Sequence, residues 1–272
     1  MNDKKIFYMK SFRFAIITAI ILGMPLISCN NNGDNDSDDQ LYPTTIYRLS
    51  EEILLQKRND FAQKNPNVYT SLNQFGFCAM LEPGGGYLSP GGFTEEEAIA
   101  AVKEFVSRNP EYTGVEKPNN LQFRNISKAI GFNDAVLWGF RTENQTINDM
   151  EVEYSEILFR TENRKLVSCQ GNHFPNVYVP KKFKIELEQA KIQLLGKEIF
   201  HTGWGGQYSA GIITMEHLQK CDAQLIIVPI ITDVKIELRV VWQINLKAPM
   251  YYIFEIDVMT GEIIRERQTI IF

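Results

Sequence analysis

The sequence predicts an α+β fold built as two tandem modules, each a helix followed by an antiparallel meander. Three observations carry this. The stretch 238–265 alternates apolar and polar side chains with a period of two. Two helices with apolar stripes can be read upstream, a capped one from Thr94 and another from Glu186. Strand-like runs separated by turn residues follow each of them.

A chain of 272 residues has room for one large domain or two ordinary ones, and its 44% hydrophobic content is enough to fill real cores. The net charge of −5 and the lack of a basic patch argue against a nucleic-acid partner. Lys4, Lys5, Lys10 and Arg13 precede a short apolar run from Phe14 to Ile27, the form of an export signal rather than of a membrane span. The run ends in Leu26-Ile27-Ser28-Cys29. This resembles a bacterial lipobox, which implies cleavage after residue 28 and a lipid anchor on Cys29. Residues 30–40 are polar, small and acidic, and residues 29–43 are read as a disordered tether. Asn30 stands where an aspartate would favour retention in the inner membrane. Asp34, Asp36, Asp38 and Asp39 resemble the acidic surface-export tag of Bacteroidetes lipoproteins, and a plain solvated linker fits them equally well. The expected location is the outer membrane, with exposure at the cell surface.

Residues 44–93 are read as a helical segment and a loop. Ser50 caps a helix with Glu51 and Glu52 at its positive end, Ile53, Leu54 and Phe61 on one side, and Asn65-Pro66 as its stop. Residues 82–93 hold five glycines and two prolines and cannot be regular structure; no Lys-Ser/Thr follows as a phosphate loop requires. Residues 94–180 form the first module. Thr94 and Glu97 make a capping box, Ala98, Ile99, Val102, Phe105 and Val106 a helical stripe, and Asn109-Pro110 the end. Strands are expected at 121–123, 136–140, 152–159 and 166–168.

Residues 181–272 form the second module. A helix is expected over 186–198 with Leu187, Ala190, Leu194 and Leu195 inward, then a glycine-rich excursion at 202–211. Strands follow at 212–213 and 225–231. In the last stretch Leu238, Val240, Trp242, Ile244 and Leu246 alternate with Arg239, Val241, Gln243 and Asn245. Lys247-Ala248-Pro249 break the run. Tyr252, Phe254, Ile256 and Val258 then face one way, and Glu255 and Asp257 the other, toward water. Thr260-Gly261 supplies a turn in which the glycine suits a positive φ.

The order Trp242-x-Ile244, Tyr252-x-Phe254-x-Ile256-Asp257, Thr260-Gly261-Glu262-Ile263 resembles the end of a PepSY domain. Residues 154–159 (YSEILF) and 166–172 (LVSCQGN) are similar to the fungalysin/thermolysin propeptide module that precedes it in secreted metalloprotease precursors. Gln189-Ala190, and residues 223–229 with 238–242, match the opening helix and strand pair of the PepSY-like part. The resemblance spans about 94–265. The glycine-rich 202–211 and the polar 141–150 depart from it. It implies non-catalytic modules that bind or inhibit a secreted peptidase or another protein. The alternative is an adhesin-like or glycan-associated lipoprotein on the same scaffold.

No catalytic motif accompanies it. His173, His201 and His217 do not form H-E-x-x-H, and no G-x-S-x-G occurs. The chain is therefore read as no enzyme, with no metal and no cofactor. Glu151/Glu153 and Glu255/Asp257 have strand spacing and are expected on a solvated face rather than as an acid/base pair. Trp204 and Tyr208 suit either a sugar-stacking platform or, more simply, the anchor of a long loop. Cys78, Cys169 and Cys221 lie in no C-x-x-C motif, and the sequence leaves their pairing open, as it does the oligomeric state. The candidate partner-facing residues are Arg239, Gln243 and Asn245, opposite Trp242.

Overall fold

The computed structural model describes residues 41–81, 92–130, 134–162, 164–203 and 206–269, all within one compact unit spanning 36–272. Its class is α+β: short helices and several antiparallel sheets. Strand β1 (Thr44–Tyr47) opens the chain, and helix α1 (Glu51–Lys64) follows, with the Ser50 side chain accepting from the Ile53 amide. Leu54 and Phe61 are buried as expected; Ile53 is exposed. A hairpin of β2 (Thr70–Leu72) and β3 (Cys78–Leu81) leads to α2 (Glu95–Arg108), whose capping box from Thr94 and Glu97 is formed.

Both helices stop at Asn-Pro, and the two stops meet. The Asn65 and Asn109 carboxamides donate to each other at 3.0 and 3.1 Å, and each also donates to its own helix, at Phe61 O and Phe105 O. Both are buried, so this pairing meets the requirement that buried amides find partners.

A one-turn helix α3 (Pro110–Thr113) follows. Next come β4 (Phe123–Ile130), β5 (Val136–Thr142), the short β6 (Thr146–Ile147) and β7 (Met150–Val152), β8 (Leu158–Glu162) and β9 (Lys165–Gln170). Four of these form one sheet in the order β4-β5-β8-β9. Its inner face, including Val136, Trp138, Phe140, Phe159 and Leu166, packs on the apolar stripe of α2. The strand expected over 152–159 is split in two. Tyr154 takes a left-handed φ of 58°, and the Ser155 hydroxyl accepts from the Gln145 amide and donates to Val152 O. The chain leaves the four-stranded sheet after β5, adds β6 and β7 to the other sheet, and returns to β8 through this break.

The remaining elements are α4 (Leu187–Ile192), β10 (Glu198–Gly203), β11 (Gly206–Ile212), α5 (Met215–Gln219), β12 (Asp222–Ile231), β13 (Lys235–Leu246), β14 (Tyr252–Asp257) and β15 (Ile263–Gln268). Helix α4 is shorter than the sequence suggests. The chain turns after Ile192, so Ala190 and Leu194 stay buried while Leu195 is exposed. The glycine-rich excursion is a two-stranded hairpin, β10 on β11. The larger sheet runs β15-β14-β13-β12-β7-β6, with β7 parallel to β12 and β1 alongside the first part of β13. One face carries two apolar clusters, around Val240 and Leu238 and around Phe254 and Ile256, with Trp242 touching both. The turn at Thr260-Gly261 forms as expected, with Gly261 at φ 74° and the Asp257 carboxylate accepting from the Met259 and Thr260 amides.

Candidate functional site

The opposite face of the larger sheet, expected to be wet, is a layer of ion pairs over a small apolar patch of Ile226, Val228, Val241 and Ile264. Glu255 and Asp257 are both fully buried. Glu255 accepts from Arg265 Nε at 2.7 Å, from an Arg267 terminal nitrogen at 2.8 Å and from Gln243 Nε2 at 3.3 Å. The same two arginines bond Glu153, which directly follows β7. Asp257 accepts from the Tyr42 hydroxyl at 2.9 Å and from Arg239 at 3.3 Å. Burial above all, then the Asp257 charge and its hydrogen bond, push the Tyr42 phenol far up. Burial works against the charge on Arg265, but the bonds and charges of Glu255 and Glu153 outweigh it and raise its pKa.

This face has its own account of the partner-facing candidates. Arg239 is shared among Glu237, Asp257 and Glu262. Gln243 is buried, donating to Glu255 and accepting from Gln224 Nε2 at 2.9 Å. Asn245 is half-buried opposite Asp222 and Ile253. Arg239 and Gln243 thus spend their donors inside the protein. The reason is register: Gln243 stands opposite Glu255 on β14, and Arg239 lies two residues along from Val241, the partner of Asp257, so both side chains close over these carboxylates instead of reaching into water.

A polar cleft of about 690 Å³ opens between residues 114–122, 143–147 and 173–177. Its walls are tied together by the backbone. The His173 amide donates to Thr113 O at 2.8 Å. The Gln145 carboxamide pairs with the Phe174 backbone, accepting from its amide at 2.8 Å and donating to its carbonyl at 2.9 Å. His173 Nε2 and Asn144 Oδ1 are buried and lack a hydrogen-bond partner among the described residues. Lys117, Glu143, Gln122 and Asn176 also face the cleft, so it presents both charges and several carboxamides, groups that complement peptide or hydroxyl groups.

Burial lowers the His173 pKa from 6.5 to about 4. Folding therefore favours the neutral ring. The stability it protects is complete above pH 6.5, falls as the pH drops toward 4, and changes no further below that. At most about 3 kcal/mol is at stake. A His173→Gln chain should lose less stability between pH 7 and 4.5 than the parent. Urea midpoints at the two pH values check this, and an equal loss in both chains would refute it.

The four-stranded sheet ends in an open edge. β4 pairs only with β5 among the described residues, and every β4 residue except Phe123 and Ile126 is exposed. Its outer face continues into a shallow trough of about 590 Å³ bearing Asn125, Ser127, Arg141, Arg160 and Gln170.

The other residues singled out by sequence are dispersed. Cys29 and Trp204 lie outside the described residues. Tyr208 is exposed on β11. His201 Nδ1 lies 3.0 Å from Gln268 Oε1, and His217 closes the capping box of α5 with Thr214. No group of three His, Cys, Asp or Glu suited to a metal occurs among the described residues. Glu151 accepts from Asn144 Nδ2 at 2.5 Å. Among the described residues no helix is long and apolar enough to cross a membrane.

Comparison with known proteins adds little. No family model matches the chain, and no curated protein matches it. Among solved structures, the Bacillus megaterium YpeB C-terminal domain is similar at a TM-score of 0.30 and 12% identity, over 81% of this chain and 98% of that one. At that score the likeness is distant and carries no residue role across.

Proposed function

We propose that this chain is a non-catalytic lipoprotein of the cell envelope that binds a secreted peptidase or another exported protein. The lipobox ending in Cys29 and the propeptide-like and PepSY-like order of motifs over 94–265 support the reading. The observation that carries it is the edge of β4. About half of its eight residues turn backbone donors and acceptors away from β5, and an extended segment of a partner can add there. Side chains of the adjoining trough, Arg141 and Arg160 among them, would then set which segment fits. The amide-rich cleft favours the second reading, a glycan-associated protein, because carboxamides also bond sugar hydroxyls.

A pull-down from the envelope with the compact unit 36–272 as bait tests this. A peptidase should be recovered. Lys128→Pro and Ala129→Pro, made separately, should each be checked for folding. Successive strand amides point to opposite sides, so one of the two blocks the edge without breaking the pairing to β5 and should abolish capture. Recovery of neither a peptidase nor another exported protein, with unchanged secreted proteolysis when the gene is deleted, removes this reading and leaves the adhesin-like or glycan-associated one.

A further inference from the structure

Three cysteines lie in the described residues, and two of them are neighbours. Cys78 opens β3 and Cys169 sits near the end of β9, exposed by 1% and 0% in the same hydrophobic core. Their backbones are locked side by side. The Gly171 amide donates to Cys78 O at 2.9 Å, and the Thr70 hydroxyl, on the strand paired with β3, bonds both the Cys169 amide and its carbonyl at 2.9 Å. The Cys78 side chain lies close enough to add to the rise that burial imposes on the Cys169 thiol. Cys221 is elsewhere, half-buried beside α5 in another core, its thiol donating to Leu218 O at 3.0 Å.

We propose that Cys78 and Cys169 are joined by a disulfide in the exported protein, with Cys221 left as the unpaired thiol. The inference rests on the export reading of the leader and on this contact. Two cysteines whose strands are joined by backbone bonds this close, with both side chains buried in one core, need only a small rotation to reach bonding geometry. In the folded chain burial, first of all, keeps the Cys169 thiol protonated, and no oxidant reaches it. The bond therefore forms before the core closes. One thiolate attacks the disulfide of an envelope thiol–disulfide oxidoreductase, giving a mixed disulfide. The other thiolate displaces it, and the two electrons leave with the oxidoreductase as its dithiol, which takes up through water the two protons that the cysteines lost. The product closes a loop of about 90 residues and ties the β2/β3 hairpin to the four-stranded sheet.

Two preparations separate the geometry from the compartment. The purified chain, refolded in a mixture of oxidised and reduced glutathione, is alkylated under denaturing conditions and digested. A peptide linking Cys78 to Cys169 and an alkylated Cys221 are expected. The oxidised chain should melt roughly 10 °C above the same chain held in reductant. Free Cys78 and Cys169 after refolding, or a link through Cys221, overturns the pairing. The chain is then isolated from its own envelope with thiols blocked at lysis. Finding the same link there supports the proposal. Finding free thiols in that sample, when the refolded chain is linked, overturns it through the export reading rather than through the geometry.

Discussion

Glu255→Ala should cost roughly 3 kcal/mol of folding stability, the lower end of what breaking a buried ion pair costs. The carboxylate is fully buried and is the shared acceptor of Arg265, Arg267 and Gln243. Without it, two guanidinium groups keep only Glu153, and the Gln243 amide loses one acceptor. The arginine side chains retain 29% and 34% of their exposure, so water recovers part of the loss, which is why the lower end applies. Glu262→Ala is the matched control. Its carboxylate is 64% exposed and meets Arg239 only at 3.4 Å, so the change should stay below about 1 kcal/mol. Thermal melts of the compact unit should show Tm falling by roughly 6–12 °C for Glu255→Ala. A fall no larger than that of Glu262→Ala would mean that the ion layer is ornamental to stability.

What the sequence could show and could not follows from where each feature gets its stability. The capping box at Thr94 and the turn at Thr260-Gly261 are local, and both formed where they were read. The alternation on β13 and β14 fixed which side chains face the core. It did not fix what covers the other side. That depends on β15 folding back so that Arg265 meets Glu255, and on β7 bringing Glu153 from about a hundred residues away. Half of this was within reach: residues 255 and 265 are equidistant from Thr260, and a hairpin about that turn pairs them. Glu153 and Tyr42 carried no such signal. β4 was underestimated because an exposed edge strand has little apolar periodicity, and RNISKAI shows none. The cleft around His173 was invisible for a different reason. It is made by backbone contacts between α3 and the segment after β9, which leave no pattern in the side chains.

Gly114→Ala should be the most disruptive single-methyl change near that cleft, at roughly 3 kcal/mol or more. Gly114 ends α3 with φ 68°, a conformation that costs an alanine about 1–2 kcal/mol by itself. A methyl group there would also lie 1.9 Å from the His173 carbonyl oxygen and 2.7 Å from its carbon. That is backbone, which cannot rotate aside. The segment after β9 must move, and the bond from the His173 amide to Thr113 O, 2.8 Å long, is stretched or lost at a cost of about another 1 kcal/mol. Gly196→Ala separates the two causes. Gly196 also has a positive φ, 79°, but an added methyl meets nothing within 4 Å, so only the conformational cost applies. The displacement has its own signature. With the wall at 114–117 pushed away from 173–177, water reaches the imidazole, and the His173 pKa should rise from about 4 back toward 6.5. A proton NMR titration of the ring at a temperature where Gly114→Ala remains folded reads this directly. Equal stability of the two alanine chains, or an unmoved His173 titration in Gly114→Ala, would show that the cleft wall is not held by this contact.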